Sequence, residues 1–410
     1  MIAESPPGYA SRPSRPEADE RPLPPRPPSG REGGAASRIR PLRGSVVGAV
    51  LLVAAAGRAS GQVHDVHQYT NRDGLPQLQV LAIHQDRTGY IWFGTYGGLS
   101  RFDGRSIRTL TGEDGLASNV VTEIVEDGNG RLRVGTLGGG LCTLEEDRFT
   151  CLGEDDGLAA NAVDGIYPEG DGTLWIATQA GLSRLRGGTL TSFTEGDGLP
   201  SSAVNDVIRD GEGRLWVGTA GGLARLEGER FVTVRNSGLE GRAVQALLPL
   251  SAGLLVGTDA GLRLLAAGEV RPLAVPGPAT EASVNDMALA PSGVVWIATD
   301  AGLLRYDGER FGLFTVANGL PVDALSRVTV DREDDVWLGT ERGAVKLVPG
   351  PFQVHTASEG LPNEFVRALA EDAEGRVWVG TRAGVALRRG SGFRPAIPDE
   401  ELSDGRVYAL

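Results

Sequence analysis

The chain has 410 residues, of which 60 are Gly, 24 are Pro and only 23% are charged, a balance that excludes a helical bundle or a coiled coil, while its 40% apolar content excludes a disordered chain. The net charge is −13, and because the first 43 residues carry +3 the remainder stands at −16. No cluster of Arg and Lys follows Arg43, which argues against a nucleic-acid partner, since phosphate binding rests on grouped cations.

Residues 1–37 are rich in Pro and Arg and read as a disordered extension. Arg38, Arg40 and Arg43 then lead into an apolar run from Val46 to Ala56, followed by Ala59, Ser60 and Gly61. That charged, apolar and small order is the pattern of an export signal, so residues 38–61 are expected to be a signal peptide or an uncleaved anchor, and the protein periplasmic or extracytoplasmic. The apolar run falls short of the ~20 residues that span a bilayer comfortably.

From residue 62 onward one phrase recurs. Its clearest copy runs Asp197-Gly198-Leu199-Pro200, Ala203 to Ile208, Asp210-Gly211-Glu212-Gly213, Leu215-Trp216-Val217-Gly218-Thr219, Gly222 to Leu226, then Phe231. The Thr that closes the Trp-x-Gly-Thr segment stands at Thr95, Thr136, Thr178, Thr219, Thr258, Thr299, Thr340 and Thr381, in steps of 41, 42, 41, 39, 41, 41 and 41. Within each copy, short β-favouring runs are separated by Gly, Asp and Asn turn chemistry, which predicts four strands. In the clearest copy strand A is Val204 to Ile208, B is Leu215 to Thr219, C is Leu223 to Leu226 and D is Phe231 to Val234.

Strand B is apolar at odd and even positions alike, as in Val295-Trp296-Ile297-Ala298, so each small sheet has to be covered on both faces. Neighbouring sheets packed face to face around an axis provide that cover, giving an all-β propeller of four-stranded antiparallel blades. All six Trp (Trp92, Trp175, Trp216, Trp296, Trp337 and Trp378) fall three residues before the Thr, a position read as core. Leu255 and Arg133 replace them in two copies; Arg133 must snorkel outward or find a carboxylate, so the second blade is expected to be the weakest.

Val63 to Thr70 matches a D strand and is expected to pair with a late copy, closing the ring. Gly405 to Leu410 matches the start of strand A of a ninth copy, which suggests a fragment of a longer protein. The only two Cys, Cys142 and Cys151, face each other if the hairpin turns at Glu146 and Asp147, and read either as a disulfide or as two small apolar residues.

The phrase Asp-Gly-Leu-Pro, Val-x-x-Ile-x-x-Asp-x-x-Gly, Leu-Trp-Val-Gly-Thr and Gly-Leu-x-Arg-Leu resembles the two-component regulator propeller repeat, over residues 63–410. The resemblance implies the periplasmic sensor part of a hybrid two-component system, with two seven-bladed propellers, a membrane span and a histidine kinase or diguanylate cyclase output beyond this chain. On that basis residues 62–357 form a first propeller and 358–410 begin a second, with a single eight-bladed ring as the alternative architecture. The implied ligand is a small molecule or an oligosaccharide, homodimers would form through downstream parts, and membrane contact is expected only there or through an uncleaved N-terminal anchor.

The connections D to A and B to C emerge at one end of a propeller, and here they vary. Directly after Gly-Thr stand Tyr96, Leu137, Gln179, Ala220, Asp259, Asp300, Glu341 and Arg382, a changing ring on a constant frame. Tyr96, Gln179, Asp259, Asp300, Glu341 and Arg382 are therefore candidate ligand contacts, joined by Asn119, Asn161, Asn205 and Asn285 near the start of strand A. No catalytic residue, metal or cofactor is expected. The rival function is a propeller enzyme such as a glycosidase or lyase. No carboxylate pair stands out for it, and the four His are His64, His67, His84 and His355, with His64 and His67 read as exposed and His84 as a tolerated strand residue. The Asp-x-x-Gly loops read as turns rather than calcium sites.

Overall fold

The computed structural model describes residues 65–235, 237–349, 360–363, 365–389 and 392–398. The export segment, His64, His355 and the ninth-copy stub lie outside the described residues.

The described chain is built from eight four-stranded antiparallel sheets. Six of the first seven follow sequence order A-B-C-D: Val80–Leu110, Val121–Leu152, Val163–Phe193, Val204–Thr233, Val244–Pro272 and Val284–Phe314. The seventh takes A (Arg327–Val330), B (Val336–Thr340) and C (Gly343–Val348) from its own copy, and its fourth strand is Asp65–Tyr69 from the start of the described chain. There Val66 is paired with Leu347 and Tyr69 with Ala344. The eighth sheet runs Val366–Pro398.

The motif residues explain the packing. Each Asp-Gly-Leu closes a tight turn: Asp73 Oδ2 accepts from the Thr70 N–H at 2.8 Å, and Asp114 Oδ2 does the same for Thr111. The Leu that follows is buried in seven of the copies, among them Leu75, Leu116 and Leu199. The motif Thr is fully buried and staples the B–C turn, as where Thr340 Oγ1 donates to the Gly343 carbonyl at 2.7 Å and accepts from the Arg342 N–H at 3.0 Å. The motif Gly is a matter of space. A Cβ on Gly94 would stand 2.7 Å from Val121 Cγ1 of the next sheet, and one on Gly339 would stand 2.9 Å from the Val80 carbonyl.

Those last two contacts belong to one series. The inner strand A of each of the first seven sheets packs against that of the next, and Val80–Gln85 of the first packs against strands A and B of the seventh. Tyr69 stacks on Trp337 at 5.4 Å at that same seam. The first residue of strand A (Val80, Val121, Val163, Val204, Val244 and Val284) is wholly buried, as is Leu325 in the seventh copy. In the eighth sheet the matching Val366 is 44% exposed and Leu369 is 69% exposed.

Five indoles share one polar anchor that reading the Asp-x-x-Gly loop as a plain turn does not anticipate. Nε1 of Trp92, Trp216, Trp337 and Trp378 donates to Asp86, Asp210, Asp331 and Asp372 at 2.7–2.8 Å, and Trp175 donates to Glu169 at 2.6 Å. In the second copy Arg133 takes the second of its two expected courses. It is 9% exposed and finds the carboxylate of Asp127, the residue homologous to those anchors. Cys142 and Cys151 are directly opposed in the hairpin whose turn residues Glu146 and Asp147 both have positive φ, and their sulfurs are bonded.

Candidate functional site

The site follows from an irregularity in strand A. In Val121-Thr122-Glu123-Ile124 both Val121 and Ile124 are buried, a spacing of three that a regular strand cannot put on one face. The register slips by one residue at this point in six of the first seven sheets, for instance between Val80 and Ala82 and between Val204 and Asp206. The extra residue of each bulge is freed from the ladder.

These residues meet. A single cavity of about 290 Å³ is lined by Leu81, Thr122, Asp164, Asn205, Gln245 and Asn285, the second residue of strand A in six sheets, together with Ser326 and Arg327 at the start of strand A in the seventh. Four of these residues stitch one sheet to the next. Thr122 Oγ1 donates to the Val163 carbonyl at 2.5 Å, Asn205 Nδ2 to Val244 at 2.9 Å, Asn285 Nδ2 to Leu325 at 2.8 Å and Ser326 Oγ to Val80 at 2.7 Å. Gln245 Oε1 accepts from Ser283 of the following copy at 2.7 Å. One layer deeper, Asp206 Oδ2 accepts from the Leu247 N–H at 2.7 Å and Asp286 Oδ2 from the Val328 N–H at 2.9 Å.

Charge in this bore is unbalanced. Arg327 Nη2 lies 3.5 Å from Glu123 Oε2 and donates to the Thr122 carbonyl at 3.2 Å. Burial pushes the Glu123 carboxyl up to about 8, with Arg327 opposing and Asp286 and Asp206 adding to the rise. Asp206 is raised to about 6, again mainly by burial, against the pull of its backbone N–H donors. Burial also raises Asp164 and Asp286. For Arg327 burial disfavours the charge, but the four carboxylates outweigh it and hold the guanidinium in its charged form. Glu123 still keeps 24% of its side-chain surface open to the bore, so water tempers these effects.

Of the residues singled out in the sequence, Asn205 and Asn285 line the cavity. Gln179 hydrogen-bonds Asp164, and Asp300 Oδ1 accepts from Asn285 Nδ2 at 2.8 Å, so both support its rim. The backbone N–H groups of Gln179, Asp259, Asp300 and Arg382 are tied to the carbonyls of Ala162, Ala243, Ser283 and Phe365, each near the start of its strand A. Tyr96 and Glu341 are exposed on the same connections, and the Asp259 carboxylate stands 3.9 Å from Arg242. Arg382 belongs to the eighth sheet and takes no part in the bore. Asn119 and Asn161 do other work, since their Oδ1 atoms accept from the backbone N–H of Gly112 and Glu154 and shape the D–A connections. His84 lies on strand A of the first sheet with Nε2 buried and without a partner, and burial lowers its pKa. His67 is exposed. No group of His, Cys, Asp and Glu among the described residues has the arrangement of a metal site.

A second concavity of about 440 Å³ sits between the fourth and fifth copies, where the A–B hairpin of the fifth is short and Leu255 stands for Trp. Its charged walls are already satisfied: Arg214 pairs with Asp210 at 2.7 Å and Glu212 at 2.6 Å, and Arg225 pairs with Glu227.

Three stretches of the chain, residues 74–97, 198–221 and 360–383, match the family described as Two component regulator propeller. No curated protein matches the sequence. Among solved structures, the extracellular domain of a hybrid two component system from B. thetaiotaomicron is similar with a TM-score of 0.69 at 22% identity, over 84% of this chain and 50% of that one. A second extracellular domain from B. thetaiotaomicron, ascribed to a one component system, gives 0.60 at 24%, over 84% and 48%. Virginiamycin B lyase from Staphylococcus aureus gives 0.55 at 12%, over 69% and 99%. At these identities the likeness is one of fold, and the chain spans about half the length of the first two structures.

Proposed function

For a chain that carries two component regulator propeller repeats, we propose the role of an extracytoplasmic sensor that binds an oligosaccharide at the axial mouth and passes the event to a histidine kinase or diguanylate cyclase output outside this chain. One observation carries the reading: seven side chains of six kinds, six of the seven polar, converge from seven sheets on one cavity. Such a ring offers donors and acceptors at many angles on a rigid frame, which is what recognition of a polyhydroxylated ligand demands. Extracellular placement of the two similar B. thetaiotaomicron domains supports the compartment. No helix among the described residues is long and apolar enough to cross a membrane.

Calorimetric titration with a panel of plant, algal and host oligosaccharides tests the reading. A binder whose affinity falls at least about tenfold in Gln245→Ala and Asp164→Ala supports it, a loss of the size expected when one polar contact in a binding site is removed. Binding that is indifferent to both substitutions rejects the mouth as the site.

A further inference from the structure

We propose that the axial mouth is a charge filter, admitting neutral and amine-bearing saccharides and rejecting acidic ones such as uronates and sulfated sugars. The inference rests on the sensor reading above and specifies its ligand. Four carboxylates, those of Glu123, Asp164, Asp206 and Asp286, act together on one guanidinium, that of Arg327. Arg327 is the single cationic side chain lining the cavity. It already donates to the Thr122 carbonyl and lies 3.5 Å from Glu123.

Even leaving Glu123 aside, three acidic side chains, Asp164, Asp206 and Asp286, act on the one guanidinium. Field lines in a cleft walled by protein are focused, so the excess is felt at the mouth.

The test compares three saccharides of equal length, one neutral, one carrying a protonated amine and one carrying a uronate, by calorimetry at neutral pH and low salt. The uronate is expected to bind at least about tenfold more weakly than the neutral sugar, a modest outcome for like charges brought together. That ratio should shrink in high salt and in Asp206→Asn combined with Asp286→Asn, where the shape of the bore is kept. A uronate that binds as tightly as its neutral counterpart, or a ratio unmoved by the double substitution, overturns the charge filter and leaves the sensor site standing. If none of the three binds and no other saccharide does, the sensor reading fails and takes the filter with it.

Discussion

Arg133 occupies the slot that holds an indole in six other copies, and its Nε and Nη2 both donate to Asp127 Oδ2, at 3.0 and 2.9 Å. Asp127 is 4% exposed and its carboxyl is held below the usual range: burial opposes this, but backbone donation from Arg131 and the Arg133 hydrogen bond prevail. The pair is a local rewrite of the indole-to-carboxylate bond found elsewhere in the protein. Arg133→Ala, which leaves Asp127 with Arg131 and its backbone donors, should cost about 1 to 3 kcal/mol in denaturant unfolding. Arg133→Trp should restore the repeat pattern and stay within about 1.5 kcal/mol of the parent. If the Trp variant is as damaged as the Ala variant, the two slots are not equivalent.

The same anchor can be cut from the other side. Asp331 accepts from Trp337 Nε1 and from the backbone N–H of Glu333 and Asp335. Asp331→Ala should destabilise by about 1 to 3 kcal/mol through unmet donors. Trp337→Ala should cost about 3 to 5 kcal/mol, since Tyr69, Phe93 and Phe102 all pack on that indole. Thermal unfolding of the two variants in parallel measures the difference, and equal losses would mean that the hydrogen bond outweighs the ring.

Glu123 makes stability depend on pH. Its carboxyl sits near 4.5 when unfolded and about 8 when folded, so the native state holds the proton more tightly. The contribution is complete below pH 4.5 and is lost as pH rises through about 8. Chemical denaturation should show a decline of about 1 to 3 kcal/mol as pH rises through about 8 that Glu123→Gln removes, while the decline through about 6 that Asp206 contributes remains. A Gln variant whose stability falls in step with the parent would assign the decline to another group.

Cys142 and Cys151 close a short loop, with a sequence separation of 9. Reduction, or substitution of both by Ser, should lower stability by about 2 to 3 kcal/mol on loop-entropy grounds. Melting temperatures with and without reductant read this out, and intact-mass analysis of alkylated protein reports the bond directly.

What the sequence disclosed and what it hid have separate physical causes. The repeat length, the four strands and the buried Trp are legible because identical packing problems select identical residues in every copy. The bore is the converse: Leu81, Thr122, Asp164, Gln245, Ser326 and Arg327 differ from one another, so a search for sameness passes over them. Variation alone does not single them out either, because Tyr96, Gln179 and Asp259 on the B–C turns vary just as freely. The usable clue is the three-residue step from Val121 to Ile124, which breaks strand alternation and marks a bulge that turns its extra residue toward the axis. The indole anchor was hidden differently, since Asp86 and Asp331 also make the turn that their spacing announces.

The strand Asp65–Tyr69 finds its partner in Gly343–Val348, and the Gln68 side chain donates to the carbonyl of Arg342, 274 positions later. During synthesis that first segment has to wait, its backbone groups unmatched, while six intervening sheets are made. Contacts so distant along the chain are slow to form, so pairing these two strands should be the late and rate-setting event of folding. A chain cut before residue 343 would hold six finished sheets whose two outer flanks are still wet.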